Sequence, residues 1–309
     1  MARYILFRLL QAIPVLLGTT FLIYFMVFAM PGDPLLALFG DKTPNPALLE
    51  QLREQYHLNE PFFVQYLYYL GGIFRFDFGV SYSGQPVTEI LAQTFPVTIR
   101  LAILALLFEM IAGILIGLVS GIRKGGIFDA SALVVSLILI SLPIFVTAFL
   151  GQYFLGIALG WFRPTVGAGA PIQDLILPAL VLASISFAQI VRLTRSSVIE
   201  TKNLDFVRTA YSKGLSSKRI VPVHILRNSL IPVVTYLGTD FGVLLVGATV
   251  TEGIFNVPGV GRTLYQAILK GEGPTVVSFV TVMVLIYLVV NLLVDLLYAV
   301  LDPRIRYAK

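Results

Sequence analysis

Six long apolar stretches, at residues 9–30, 97–120, 130–159, 175–191, 230–253 and 276–300, constrain this chain more than any motif in it. A helix needs about 20 apolar residues to cross the hydrocarbon core of a bilayer. The expected fold is therefore all-α: a polytopic membrane protein with six transmembrane helices. Composition agrees. Of 309 residues, 57% are hydrophobic and only 13% charged, whereas a soluble domain is about a quarter charged. An ordinary soluble enzyme is excluded on that ground. The absence of cysteine removes disulfides, thiolate metal sites and cysteine nucleophiles together, and two histidines do not furnish a His-rich metal site. Pro143 interrupts the third stretch. Its missing N–H fits either a bent helix or a span followed by an interfacial turn. Arg3 and Arg8 ahead of an apolar run resemble the start of a signal peptide. The run is longer than a typical h-region and no A-x-A site follows, so it reads as an uncleaved first helix.

Orientation follows from lysine and arginine. Fifteen of the 22 basic residues fall in one set of segments: Arg3 and Arg8, Arg123 and Lys124, eight between Arg192 and Arg227, and Arg304, Arg306 and Lys309. The positive-inside rule places both termini and the 192–229 loop in the cytoplasm, with the chain multi-pass in a cell membrane. The net charge of +5 is thus carried beside membrane helices, which argues against nucleic acid as a partner. Three regions result: residues 1–30 with the first helix, an extracytoplasmic loop at 31–96, and a five-helix core at 97–309 that includes the 192–229 loop.

Both long loops carry patterns. In the outer one, residues 46–57 are amphipathic. Phe62, Tyr66, Tyr69, Leu70 and Ile73 then recur at helical spacing. An interfacial helix with aromatics at headgroup depth fits, and so does a docking surface for an external partner. The inner loop contains DFVRTAYSKGLSSKRIVPVHILRNSLIP from Asp205. Here Ala210, Gly214 and the apolar Ile220, Val223 and Leu226 are set among polar residues. A glycine between two helical pieces permits a tight turn, so two short helices projecting beneath the membrane are expected. From charge alone, a basic segment lying on anionic headgroups fits as well.

This inner loop resembles the cytoplasmic signature of permease subunits of bacterial ATP-binding-cassette importers. That signature has a Glu-Ala-Ala start, a glycine four residues after the second alanine, and an Ile-x-Leu-Pro end. Arg208, Thr209 and Ala210 stand at the start and Gly214 at the glycine; His224, Ile225, Leu226 and Arg227 stand at the end. Arg208 replaces the glutamate, Thr209 the first alanine, His224 the isoleucine and Arg227 the proline. In this form the loop is similar to the peptide and nickel branch. MPGDPLLAL (30–38), LREQYHLNEPFFVQYLYYL (52–70), FPVTIRL (95–101), TEGIFNVPGVGRTLYQAI (251–268) and LDPRIRY (301–307) also resemble the first of its two permease chains. The resemblance implies a peptide importer in the inner membrane of a prokaryote. Its partners would be a second homologous permease chain, two P-loop ATPase subunits and an extracytoplasmic solute-binding protein. Arg208, Thr209, Ala210, Lys213, Gly214, Leu215, Arg219 and His224 would form the loop that couples to the ATPases. Relatives in this branch handle dipeptides, longer peptides, nickel chelates, glutathione and haem. The lack of Met and His clusters favours peptides over free nickel.

The chain has no G-x-x-x-x-G-K-[ST] of its own, so no cofactor is expected in it, and ATP and magnesium belong to the partner subunits. The glycine cluster in NVPGVGRTL lies outside and reads as a turn followed by a short helix. Within the spans, Glu109, Gln189, Asp240 and Asn291 are the candidates for lining a solute path, with interhelical hydrogen bonding or a buried pairing, for instance with Arg100 or Arg192, as the competing reading; Asp295, near the inner interface, is read as paired. A proton-coupled transporter using Glu109 and Asp240 is the rival from another class. No serine–histidine–acid set converges, so no catalytic residue is assigned. Gly113, Gly117 and Gly121, and separately Gly238 and Gly242, are spaced for close helix packing.

Overall fold

A computed structural model describes residues 2–28, 46–55 and 57–301, and every regular element among them is helical. In chain order these are α1 (Ala2–Phe28), α2 (Pro46–Gln55), α3 (Phe62–Phe74), α4 (Val87–Ile122), α5 (Ile127–Ser141) and α6 (Ile144–Gly151), which runs into a π-helical segment Gln152–Ala158. They continue with α7 (Ile172–Lys202), α8 (Asp205–Ser212), α9 (Ser217–Ile220), a second π segment Val221–Leu226, α10 (Arg227–Phe255), α11 (Val260–Leu269) and α12 (Gly273–Leu301). Five helices are long and apolar enough to cross a membrane, and a sixth crossing is available if α5 and α6 are one broken span. Residues 29–45, 56 and 302–309 lie outside the described residues. They include all of 30–38 and all but the first residue of 301–307, and the basic residues Arg304, Arg306 and Lys309.

Three boundaries differ from the sequence reading. The second span begins at Val87, ahead of Pro96, rather than after it. Val87 and Leu91 are buried in an apolar cluster, and this packing carries the helix through a proline that propensity alone treats as a stop. The fourth span continues past Val191 to Lys202. Charge ends the apolar run at Arg192, but Thr194, Val198 and Thr201 keep a buried face turning with the helix. Consequently the inner loop is mostly helical. Only residues 203–204 and 213–216 interrupt the path from α7 through α8 to the continuous helix of α9, the π segment and α10. At Leu142–Pro143 the third span bends by 109°, because Pro143 takes an extended ψ at the start of α6.

The chain divides into two compact units, residues 1–98 with 258–309, and residues 99–257. The last helix is thus grouped with the first in one unit. In the first unit α1 packs along α12. A Cβ at Gly273 would lie 2.7 Å from Val27 Cγ1, so the Val27 side chain packs directly on the backbone where α12 begins. Tyr24, Tyr66 and Val277 form a buried cluster, with Phe21 edge-on to Tyr66 at 5.4 Å between centroids. The face of α3 expected from its spacing is the one that packs: Tyr66 and Ile73 are buried, and the Tyr69 hydroxyl donates to Thr281 and the Val277 carbonyl. Phe63, Leu67, Tyr68 and Phe74 on its other face are exposed, which suits a helix lying at headgroup depth.

In the second unit α7 is central. It packs on α4, α5 and α10, and Leu175, Leu177, Ala179, Ala188, Ile190 and Val198 on it are fully enclosed. The glycines of α4 explain the close approach. A Cβ at Gly113 would meet Ile190 Cγ2 at 2.7 Å, one at Gly117 would meet Thr194 Cβ at 2.6 Å, and one at Gly121 would meet Val198 Cγ1 at 2.7 Å. At the far end of α7, Asp174 is enclosed and accepts from the Gly167 amide and Arg163. Gln152 bonds the Pro164 carbonyl and the Val166 amide donates to Phe255, which fixes the 159–171 segment. Where α10 ends, Asn256 adopts the left-handed conformation (φ 58°). This turn and the short α11 after it are what the NVPGVGRTL stretch led one to expect.

Candidate functional site

The inner loop folds around one small apolar cluster. Val207 and Ala210, one turn apart on α8, are buried with Ile220, Ile225 and Val198, while Leu118, Ile122, Leu215 and Val221 close the sides. Thus α8 is seated on the ends of α4 and α7 rather than hanging free. The break after it is a Schellman turn. The Leu215 amide reaches the Ala210 carbonyl at 3.3 Å and the Gly214 amide reaches Tyr211 at 2.9 Å, with Gly214 at φ 75°. That pairing satisfies carbonyls orphaned at the helix end and requires a left-handed residue just beyond the cap, where glycine is unstrained. Leu215 then folds back against the cluster.

With Val207 and Ala210 turned inward, α8 presents its other residues outward. Arg208, Thr209, Lys213, Gly214 and Arg219 are exposed, His224 is half-buried in the π segment, and Leu215 is half-buried. Arg208 and Asp205 form an exposed ion pair at 3.6 Å, of the kind worth well under about 1 kcal/mol. Three residues absent from the sequence candidates join this surface: Leu204, Phe206 and Tyr211, exposed to 48%, 42% and 49%. Their exposure follows once the buried face is known. On an eight-residue helix whose buried face is Val207 and Ala210, an aromatic at 206 and another at 211 fall on the polar side. Exposed aromatic and arginine side chains together are the composition of a binding hot spot.

The intramembrane candidates separate. Glu109 on α4 and Asp240 on α10 are 1% and 4% exposed and lie against each other, with Tyr236 and Ser186 completing the group. The Ser186 hydroxyl donates to Asp240 Oδ1 at 2.9 Å. Their neighbours here are each other, not Arg100 or Arg192. Gln189 is exposed on α7, and Asn291 is half-buried on α12 in the other unit. Gly242 is buried in α10. Asp295 lies in α12, and its side chain is outside the described ones. Among the described residues no group of three or more metal-ligating side chains converges.

A further ionic group was not anticipated. Asp129, in the first turn of α5, is paired with Arg195 of α7; the sequence reading had considered Arg192 as a partner for buried acids, one turn away.

The family model described as binding-protein-dependent transport system inner membrane component matches residues 113–307, and its N-terminal companion matches residues 1–102. The chain is 36% identical to the dipeptide transport system permease protein DppB of Escherichia coli K12, over all of both chains. It is 37% identical to a putative peptide transport system permease protein of Brucella abortus, over 99% of this chain and 100% of that one. To the dipeptide permease protein of Alkalihalophilus pseudofirmus it is 35% identical, with 99% and 100% covered.

Proposed function

Because the chain belongs to the family of binding-protein-dependent transport system inner-membrane components, we propose that it is the pore-forming subunit of an ATP-driven importer that moves peptides across the cytoplasmic membrane. The observation carrying the mechanism is the seat of α8. Its inner face is pinned by Val207 and Ala210 to the ends of two membrane helices, and its outer face offers Phe206, Tyr211 and Arg208. A surface anchored on one side and open on the other suits a cytoplasmic ATPase that must push on the membrane helices. The energy source is external to this chain, whose sequence has no phosphate-cradling loop. In this reading two P-loop ATPase subunits, with their ATP and magnesium, grip α8 and its counterpart on a second homologous permease chain. An extracytoplasmic binding protein delivers the peptide, and ATP-driven closure switches the helices between outward-open and inward-open states. Both termini and residues 203–226 face the cytoplasm, as the basic residues direct. Peptides are the substrate because that is the cargo named for relatives matched over the whole chain.

The test is recovery of the complex. Purification of this chain from crosslinked host membranes should bring down a second permease chain and P-loop ATPases, and the reconstituted assembly should take up dipeptides only with ATP and the binding protein. Recovery of the chain alone, with uptake driven by a proton gradient, would reverse the assignment. We take Glu109 and Asp240 as enclosed neighbours on α4 and α10, and the exposed Gln189 of α7 as a polar group available to the solute path. Glu109→Gln is accordingly expected to leave ATP-driven uptake and its pH profile unchanged in proteoliposomes. A flattened or displaced pH profile would instead assign Glu109 to proton movement.

A further inference from the structure

We propose that Asp129 and Arg195 are positioning residues for energy transfer: they lock the inner ends of α4, α5 and α7 into one rigid lever, on which α8 is mounted. This rests on the reading of α8 as the surface that receives the ATPase stroke. The Asp129 side chain is 3% exposed and that of Arg195 21%. One carboxylate collects donors from three elements. The Ser120 hydroxyl comes from the last turn of α4, the Gly125 amide at 2.8 Å from the α4–α5 turn, and Nε and Nη2 of Arg195 from α7, the latter at 2.8 Å. Gly125 donates from the left-handed region, at φ 82°, so the turn itself is shaped to deliver that amide. Asp129 also occupies the first turn of α5, where a negative charge complements the exposed N–H groups.

A buried ion pair is a weak way to add stability, since desolvation offsets most of the attraction. What the two-pronged guanidinium–carboxylate contact does supply is fixed geometry, in direction as well as distance. It sits where that matters. On α7, Arg195 is one turn from Val198, a member of the cluster that seats α8; on α4, Ser120 lies between Leu118 and Ile122, which flank the same cluster. The α4 and α7 backbones also touch here: a Cβ at Gly121 would lie 2.8 Å from Val198 Cβ and 2.9 Å from the Arg195 carbonyl. Lys202 Nζ adds a bond to the Ile122 carbonyl at 3.0 Å. A displacement of α8 therefore reaches α4 and α7 together, and Asp129 passes it to α5. Sliding of α4 along α7 is not the gating motion.

The experiment uses the assembled importer in proteoliposomes, with dipeptide as solute, and reads peptide taken up per ATP hydrolysed. Asp129→Asn and Arg195→Gln should each lower that ratio by about tenfold, within the range that mutations along a coupling route produce, while the ATPase subunits still co-purify. Asp129→Glu, which keeps the carboxylate, should retain more of the ratio than Asp129→Asn. A purely structural role would reduce the amount of folded complex and leave the ratio alone. A second measurement does not depend on those variants folding. The chain has no cysteine, so Leu115→Cys on α4 and Ser196→Cys on α7, both at exposed positions, take spin labels specifically. The separation of the labels should stay the same with and without ATP if the helices move as one body. A normal ratio in Asp129→Asn, or a label separation that changes with ATP, would each overturn the lever. Absence of ATP-driven uptake in the unsubstituted assembly would overturn the proposed function with it, so the two failures are separable.

Discussion

Gly214→Trp is expected to abolish peptide uptake while leaving the chain inserted in the membrane and the ATPases active. Two effects combine. Gly214 holds φ 75°, a conformation that disfavours any residue with a Cβ by roughly 1–2 kcal/mol; this strain acts on the Schellman turn that terminates α8. The second effect is steric and larger. Nothing lies within 4 Å of a Cβ built there, so the indole meets no resistance inside the chain and projects from the surface that α8 offers to its partner. A graded series separates the two. Asn tolerates the left-handed conformation and should retain most activity; Ala carries strain without bulk and should be intermediate; Trp carries both. The measurement is the ratio of uptake to hydrolysis in the reconstituted importer. Normal uptake by the Trp variant at normal expression would remove Gly214 from the coupling surface.

That prediction was open to the sequence because its cause is local. A glycine ending an amphipathic octet states its own conformation, just as Pro143 states a break in the third span and the aromatic spacing of 62–73 states which face of α3 packs. Span existence is equally local: apolar length alone identified the five long membrane helices and the broken pair α5–α6. The parts that stayed hidden depend on partners far apart in the chain. Asp129 and Arg195 are separated by 66 positions, and nothing distinguished Arg195 from Arg192 until α7 was seen to continue as a helix past the apolar run. Glu109 invited a search for a cation, yet its neighbour is another acid, Asp240, a pairing that charge complementarity argues against. The proximity of α1 and α12 was hidden for the same reason, since their contact joins the two ends of the sequence. Phe206 and Tyr211 were overlooked for a different one. Apolar residues in a membrane protein are expected to be covered, and only the inward turn of Val207 and Ala210 shows that these two are not.

The α4–α7 contact yields the other large effect, and it is one of stability. Gly117→Leu should prevent the second unit from assembling in its native packing. A Cβ at Gly117 would stand 2.6 Å from Thr194 Cβ and 2.7 Å from the Val191 carbonyl oxygen. A flexible side chain can yield to such a clash, but a backbone carbonyl in the middle of α7 cannot. The only relief is to separate the helices, and that opens the contacts at Gly113 and Gly121 as well, because the three glycines face one continuous strip of α7. Overfilling a packed interior costs about 1–3 kcal/mol when side chains adjust, so a rigid backbone neighbour places this site at or above the upper end. Even Gly117→Ala already supplies the offending atom and should show part of the loss. The control is Gly247→Leu on α10, where a Cβ meets nothing within 4 Å and little change in thermal stability is expected. Melting of the detergent-solubilised chain, followed by loss of its monodisperse elution peak, measures all three. Equal melting of the Gly117→Leu and Gly247→Leu variants would mean that α4 and α7 do not touch, and the lever built on their contact would fail with it.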